Sequence, residues 1–139
     1  MIEEVIRAEG HEHVTARHTS TLEVTTDDYL TPAGDCIVGI NADRAAADFA
    51  PGFIRACRDP GRRIEVSLEA GPHVDRIVGR GHPELSFESE RSIVARTSTY
   101  VDGRTVLVGA DGAARDVNRG LIEALADGQP LTVRLVVEA

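Results

Sequence analysis

Apolar and polar residues alternate along several short stretches of this chain, a pattern that predicts half-buried β-strands. These stretches are residues 4–9, 19–26, 63–69, 73–80 and 131–138. Shorter apolar runs at residues 36–40 and 105–108 are also predicted to be strands. The Ala-rich segments after Asp43 and Asp111 have helical spacing, and either aspartate is a residue type that caps a helix. We therefore predict a strand-rich α+β domain.

The sequence also contains an internal repeat. Residues 5–29 align with residues 76–100 without a gap, and Gly10 with Gly81 and Tyr29 with Tyr100 are among the identical pairs. The rest of each half follows in the same order after small shifts. A match that spans nearly the whole chain in one order predicts a duplication.

The predicted copies are residues 1–70 and 72–139, which together form a single domain. Each copy is predicted to have the order β-β-β-β-α-β, with its second strand at residues 14–17 or 85–88. One copy alone would expose apolar faces of its sheet and helix. We expect the two to pack around a pseudo-twofold axis, as a barrel or a two-sheet sandwich with helices covering the ends.

Composition narrows the classes of partner. The chain has 15 Arg, no Lys and 23 Asp and Glu, for a formal net charge of −8. Such a charge opposes binding to nucleic acid or to an anionic membrane. The acidic, lysine-free composition fits either salt adaptation or codon bias.

The cysteine count and the N-terminal residues predict a cytoplasmic protein. Cys36 and Cys57 are too few for a disulfide framework. The acidic N-terminus has no apolar segment that resembles a signal peptide, and no apolar run reaches the roughly 18 residues that span a bilayer.

A duplication separates residues that the fold needs from residues that are free to form a site. Residues shared by both copies mostly serve the fold, whereas polar residues found in one copy are candidates for function. The first copy has most of the latter. Its candidate ligand-binding residues are His11, His13, His18, Asp28, Asp35, Cys36 and Asn41.

Two chemical interpretations of these candidates stay open. His11 and His13, two residues apart on one face of a predicted strand, have the spacing of a metal-binding pair, and Asp35 and Cys36 would supply further ligands. Cys36 is alternatively a nucleophile activated by a histidine. A hydrogen-bonded surface pair also explains the two histidines, so that a divalent metal is not the favoured cofactor.

The segment of residues 10–48 resembles an archaeal family known as domain of unknown function 371. The similar features are the Gly-His opening, the histidine- and threonine-containing strand, the Leu-Thr-x-x-Gly-Asp-Cys-Ile turn and the Ala-Asp-x-Ala-Ala helix start. The similarity continues through residues 101–105 and 113–116. The resemblance implies a β-rich fold and an archaeal source, and it implies no activity.

The leading hypothesis is a binding module for a small ligand or an anion. The loop of residues 27–41 would form a polar pocket with His11, His13 and His18. The alternatives are a metal-assisted hydrolase that uses His11, His13, Asp35 and Cys36, and a protein–protein interaction domain, for example a homodimer paired through a strand edge.

Overall fold

The computed structural model describes residues 1–138, which fold into eight β-strands and two α-helices. In chain order these are β1 (Ile2–Glu9), β2 (Thr21–Thr25), β3 (Ile37–Gly39), α1 (Pro51–Cys57), β4 (Arg63–Ala70), β5 (His73–Arg80), β6 (Ser92–Arg96), β7 (Thr105–Leu107), α2 (Arg119–Ala126) and β8 (Pro130–Val137). A short 3-10 helix precedes each α-helix, at Ala46–Asp48 and Ala114–Asp116. The strand-rich α+β class is confirmed.

The strands form two four-stranded sheets and no closed barrel. The first sheet has the order β1-β8-β4-β5 and is antiparallel throughout, whereas the second has the order β3-β2-β6-β7. In the second sheet only the central pair, β2 with β6, is antiparallel, and both outer pairs are parallel. One continuous apolar core, which includes Ile6, Phe53, Leu68 and Leu135, joins the sheets and both helices. The single domain therefore has one core and open sheet edges.

The two halves place the same elements in the same order. The β1–β8 pairing runs from Ile2 opposite Val137 to Glu9 opposite Pro130. The β4–β5 pairing has the same length and runs from Ala70 opposite His73 to Arg63 opposite Arg80. Ala139, the last residue of the predicted second copy, lies outside the described residues.

The predicted strands at residues 14–17 and 85–88 do not form. Each of these segments contains a residue with positive φ, Ala16 at 49° and Phe87 at 54°. A left-handed residue turns the chain out of the extended conformation, so that neither segment can pair as a strand. Each half therefore contains four strands in the order β-β-β-α-β, and the prediction of a fifth was wrong.

Asp43 and Asp111 were predicted to cap helices, and this prediction was also wrong. Asp43 accepts a hydrogen bond from the backbone N–H of Arg7 and donates its own N–H to the carbonyl of the same residue. Asp111 makes the same pair of bonds with Val78. Because β1 and β5 are the outer strands of the first sheet, both aspartates satisfy backbone groups on an otherwise open edge.

Other residues cap the helices. The carboxylates of Asp48 and Asp116 accept from the backbone N–H of Ala45 and Ala113, at the start of the two 3-10 helices. Asn118 caps α2 by accepting from the N–H of Leu121. The side chain that closes the first turn thus lies three residues inside each 3-10 helix.

Candidate functional site

Charged side chains lie on the face of the second sheet that points away from the core. Leu22, Val24, Ile93 and Ala95 of β2 and β6 belong to the core. Because side chains alternate along a strand, the residues between them project from the opposite face, which we call the outer face. These are Thr21, Glu23, Thr25, Ser92, Val94 and Arg96.

Five side chains form a continuous chain of contacts across the outer face, which we call the outer network. Arg96 donates from Nη2 to Asp102 over 2.9 Å, and Arg104 donates to the same carboxylate over 3.0 Å. The other side of Arg104 lies 3.7 Å from the carboxylate of Glu23. The thiol of Cys36 lies 3.5 Å from that carboxylate and donates to it. Positive and negative groups thus alternate from the second half of the chain into the first.

The Arg96 end of the outer network is the more buried. The Arg96 side chain is 10% exposed, donates from Nε to the hydroxyl of Thr105, and packs under the ring of Tyr100. Burial alone would raise the pKa of Asp102, but hydrogen bonds from Arg104 and the positive charges of both arginines outweigh it and lower that pKa to about 2. Asp102 is therefore ionised at neutral pH.

Cys36 is not an activated nucleophile. Burial raises the pKa of its thiol to about 11, and the nearby negative charge of Glu23 contributes to this rise. Burial raises the pKa of Cys57 further, to about 12. A reactive cysteine needs a stabilised thiolate, whereas the surroundings of Cys36 stabilise the neutral thiol.

His11 and His13 lie in a turn after β1 and not on a strand, as had been predicted, and their ring centroids are 5.0 Å apart. Nδ1 of His11 accepts from the backbone N–H of His13, while Nδ1 of His13 lies 2.9 Å from the carbonyl oxygen of Leu30. An atom that faces a carbonyl must donate, so His13 keeps its lone pair on Nε2, whereas His11 carries its proton there. The two rings therefore do not present matching free lone pairs to one metal ion.

Three of the other candidates surround the loop between β2 and β3. Nδ1 of His18 accepts from the backbone N–H groups of Ser20 and Thr21, and the backbone of His18 donates to the carbonyl of Asp35. The backbone N–H of Asn41 donates to the carbonyl of Asp27, and its side chain donates to Glu9. These bonds hold both ends of the loop in place.

The remaining parts of the predicted site are not assembled. Asp28 is exposed, and no side-chain hydrogen bond involves it within residues 1–138. The same residues contain no pocket, so the predicted polar pocket is wrong. No three His, Cys, Asp or Glu side chains of the described part of the chain converge as metal ligands, so that His11, His13, Asp35 and Cys36 do not form the proposed ligand set.

The sequence gave little warning of the outer network. Glu23, Arg96 and Asp102 are far apart along the chain and follow no known motif. Arg104 and Thr105 do lie in the segment that resembles the family of unknown function. The alternation of β2 and β6 could have placed Glu23 and Arg96 on one face, but only if the pairing of these strands had been known.

Two comparisons with known proteins agree with each other. The model of a protein family described as a domain of unknown function, DUF371, matches residues 6–138. An uncharacterised protein of the archaeon Methanocaldococcus jannaschii is 38% identical over 136 residues, which cover 98% of this chain and 100% of that protein. No helix within residues 1–138 is long and apolar enough to cross a membrane. The match over nearly the whole chain shows that it belongs to the DUF371 family.

Proposed function

We propose that this chain is a binding module that recognises a small polar ligand on the outer face of the second sheet, beside the loop of residues 27–36. The observation that carries this proposal is the outer network. It joins that loop, through Cys36, to the buried Arg96 and Asp102. Because the described residues contain no pocket, the ligand would bind to an open surface.

The proposal includes a duplicated fold with a pseudo-twofold axis. Glu23 of β2 lies opposite Val94 of β6, and these two residues correspond in the alignment of the halves. The pairs on either side, Thr21 with Arg96 and Thr25 with Ser92, exchange under the same correspondence. An axis through the Glu23–Val94 pair would account for both observations.

The fold itself does not require the charges of the outer network. Val94, Thr25 and Ala33 occupy the positions in the other half that correspond to Glu23, Arg96 and Asp102. The same strands thus form with small or apolar residues in these places. Charged groups that are partly removed from water add little net stability even when they are paired, so a recognition role explains them better than a structural one.

Arg104 is the member of the outer network best suited to contact a ligand. Its side chain is 44% exposed and donates one side-chain hydrogen bond, from Nη2 to Asp102. Glu23, at 3.7 Å, lies beyond hydrogen-bond distance. A guanidinium group has five N–H donors, so that Arg104 keeps donors for an oxygen-bearing ligand while Asp102 holds the group in place.

A ligand screen with a matched pair of variants tests this function. The purified chain is screened by thermal shift and by NMR against nucleotides, sugar phosphates, amino acids and dicarboxylic acids. Arg104→Gln should weaken binding of a hit by about tenfold, the typical effect of losing one charge-assisted hydrogen bond. Arg134→Gln is the control, since Arg134 is similarly exposed and pairs with Glu3 on the other sheet.

The position of the hit decides the outcome. Shifts at the amides of Glu23, Cys36 and Arg104, together with a weakening confined to Arg104→Gln, would support the proposed site. Hits that perturb only the first sheet, equal weakening by both variants, or no hit in any class would overturn it.

A further inference from the structure

Three arginines from distant parts of the sequence meet around one segment of the chain, residues 15–18. Arg17 lies within this segment and is exposed. Arg119 donates from Nη1 to the carbonyl oxygens of Thr15 and Ala16, over 3.3 and 3.2 Å. The backbone N–H of Arg115 donates to the carbonyl of His18 over 3.1 Å. We call Arg17, Arg115 and Arg119 the basic surface.

The basic surface has little charge compensation although the chain as a whole is acidic. The ion pairs within residues 1–138 include neither Arg17 nor Arg119. Arg115 has one distant partner, Asp116, at 3.9 Å. In a chain with 23 acidic residues and 15 arginines, three adjacent arginines with one such contact are an exception.

The position of Arg119 is unfavourable for the helix that contains it. Arg119 is the first residue of α2, where the helix dipole disfavours a positive charge. Its guanidinium group is nevertheless fixed there by the carbonyl oxygens of Ala114, Val117 and the residue 15–16 segment. The positive end of the helix dipole and this fixed cation together favour an anion at the same place.

We propose that the basic surface binds a phosphate group of a small ligand. Guanidinium groups match the geometry of phosphate oxygens, and neither Arg17 nor Arg115 has a close carboxylate to displace. This inference rests on the proposed function, because the basic surface adjoins the outer network. The backbone N–H groups of Arg17 and His18 donate to the carbonyl of Asp35, the residue before Cys36. One ligand could thus contact both.

The remaining charges favour a small ligand over a long polyanion. The net charge of −8 repels an extended polyanion such as a nucleic acid strand. Asp116 lies beside Arg115, but its carboxylate accepts the N–H of Ala113. The local positive charge is therefore limited to a patch of about one phosphate group.

Phosphate and pyrophosphate are the probes that test this inference. NMR titrations at constant ionic strength compare the unmodified chain with two double variants of equal charge change, Arg17→Gln/Arg115→Gln and Arg7→Gln/Arg55→Gln. The control pair consists of exposed arginines that make no ion pair within residues 1–138. We expect saturable binding that the first pair weakens about tenfold or more, through the loss of charge-assisted hydrogen bonds, and that the control pair leaves unchanged within about twofold.

Equal weakening by both double variants would show a response to overall charge and would overturn the inference, as would the lack of saturable shifts at residues 15–18 and 114–119. Arg104→Gln separates the two proposals, because it should leave phosphate binding unchanged. A screen hit that depends on Arg104 but not on Arg17 and Arg115 would overturn the phosphate site and leave the proposed function standing.

Discussion

The backbone of Gly10 lies directly against that of Leu125, at the end of α2. A Cβ atom on Gly10 would lie 1.9 Å from the carbonyl oxygen of Leu125. Gly81 has the same relationship with Cys57 at the end of α1, where a Cβ atom would lie 2.3 Å from the carbonyl oxygen. Each helix of one half thus ends against the strand exit of the other half, and only glycine allows this approach.

Replacing either glycine by alanine should therefore destabilise the fold strongly. We expect Gly10→Ala and Gly81→Ala each to lower the free energy of unfolding by about 3 kcal/mol, since backbone atoms must shift to admit the methyl group. Urea unfolding measures the change. Gly52→Ala in α1 is the control, because its nearest neighbour would be a flexible Arg55 atom at 3.8 Å, and a stable Gly52→Ala beside a stable Gly10→Ala would contradict the prediction.

A circular permutant should fold like the parent chain. Ile2 lies opposite Val137, so that a short linker from Ala139 to Met1 would make a hairpin of β8 and β1 that resembles the existing β4–β5 hairpin. New termini at Gly71 and Pro72 would open only that existing turn. We expect an unchanged far-UV circular dichroism spectrum and cooperative melting. The control has the same linker but is opened within β5, between Val78 and Gly79, and should not fold. Failure of both permutants to fold would count against equivalent halves.

Cys36 should react slowly with iodoacetamide at pH 8. A thiol with a pKa of about 11 is ionised to about one part in a thousand at that pH. Glu23→Gln should speed alkylation, because it removes the negative charge beside the thiol and leaves the positive charge of Arg104. Glu65→Gln, in the other sheet, is the control. Mass spectrometry locates the label, and an equal rate in Glu23→Gln and the parent would contradict the predicted role of Glu23.

The fold should lose stability in acid through Asp102. Its folded-state pKa of about 2 lies below the ordinary aspartate value of about 3.9, so its contribution is present above about pH 4 and is lost as the pH falls towards 2. Asp102→Asn should flatten that part of the curve of unfolding free energy against pH. Arg104→Gln should raise the pKa of Asp102, because it removes a hydrogen bond and a positive charge. An NMR titration of the Asp102 carboxyl group checks both, and a pKa near 4 in the parent chain would contradict the prediction.

Most strands could be predicted from the sequence because their information is local. The alternation at residues 63–69 and 73–80 reports directly which side chains face the core, and β4 and β5 lie there. The capping roles of Asp43 and Asp111 could not be predicted in the same way. An aspartate before an Ala-rich segment has the same local pattern whether it caps a helix or binds the edge of a distant strand.

The sequence by itself determined the family, the strand-rich α+β class and most of the element order, since hydrophobic periodicity and motif spacing are properties of neighbouring residues. Tertiary structure alone decided which charges meet. The outer network depends on the pairing of β2 with β6, and the basic surface depends on Arg115 and Arg119 reaching residues 15–18. Such contacts come from the register of strands and the packing of elements, which alternation along one segment does not encode.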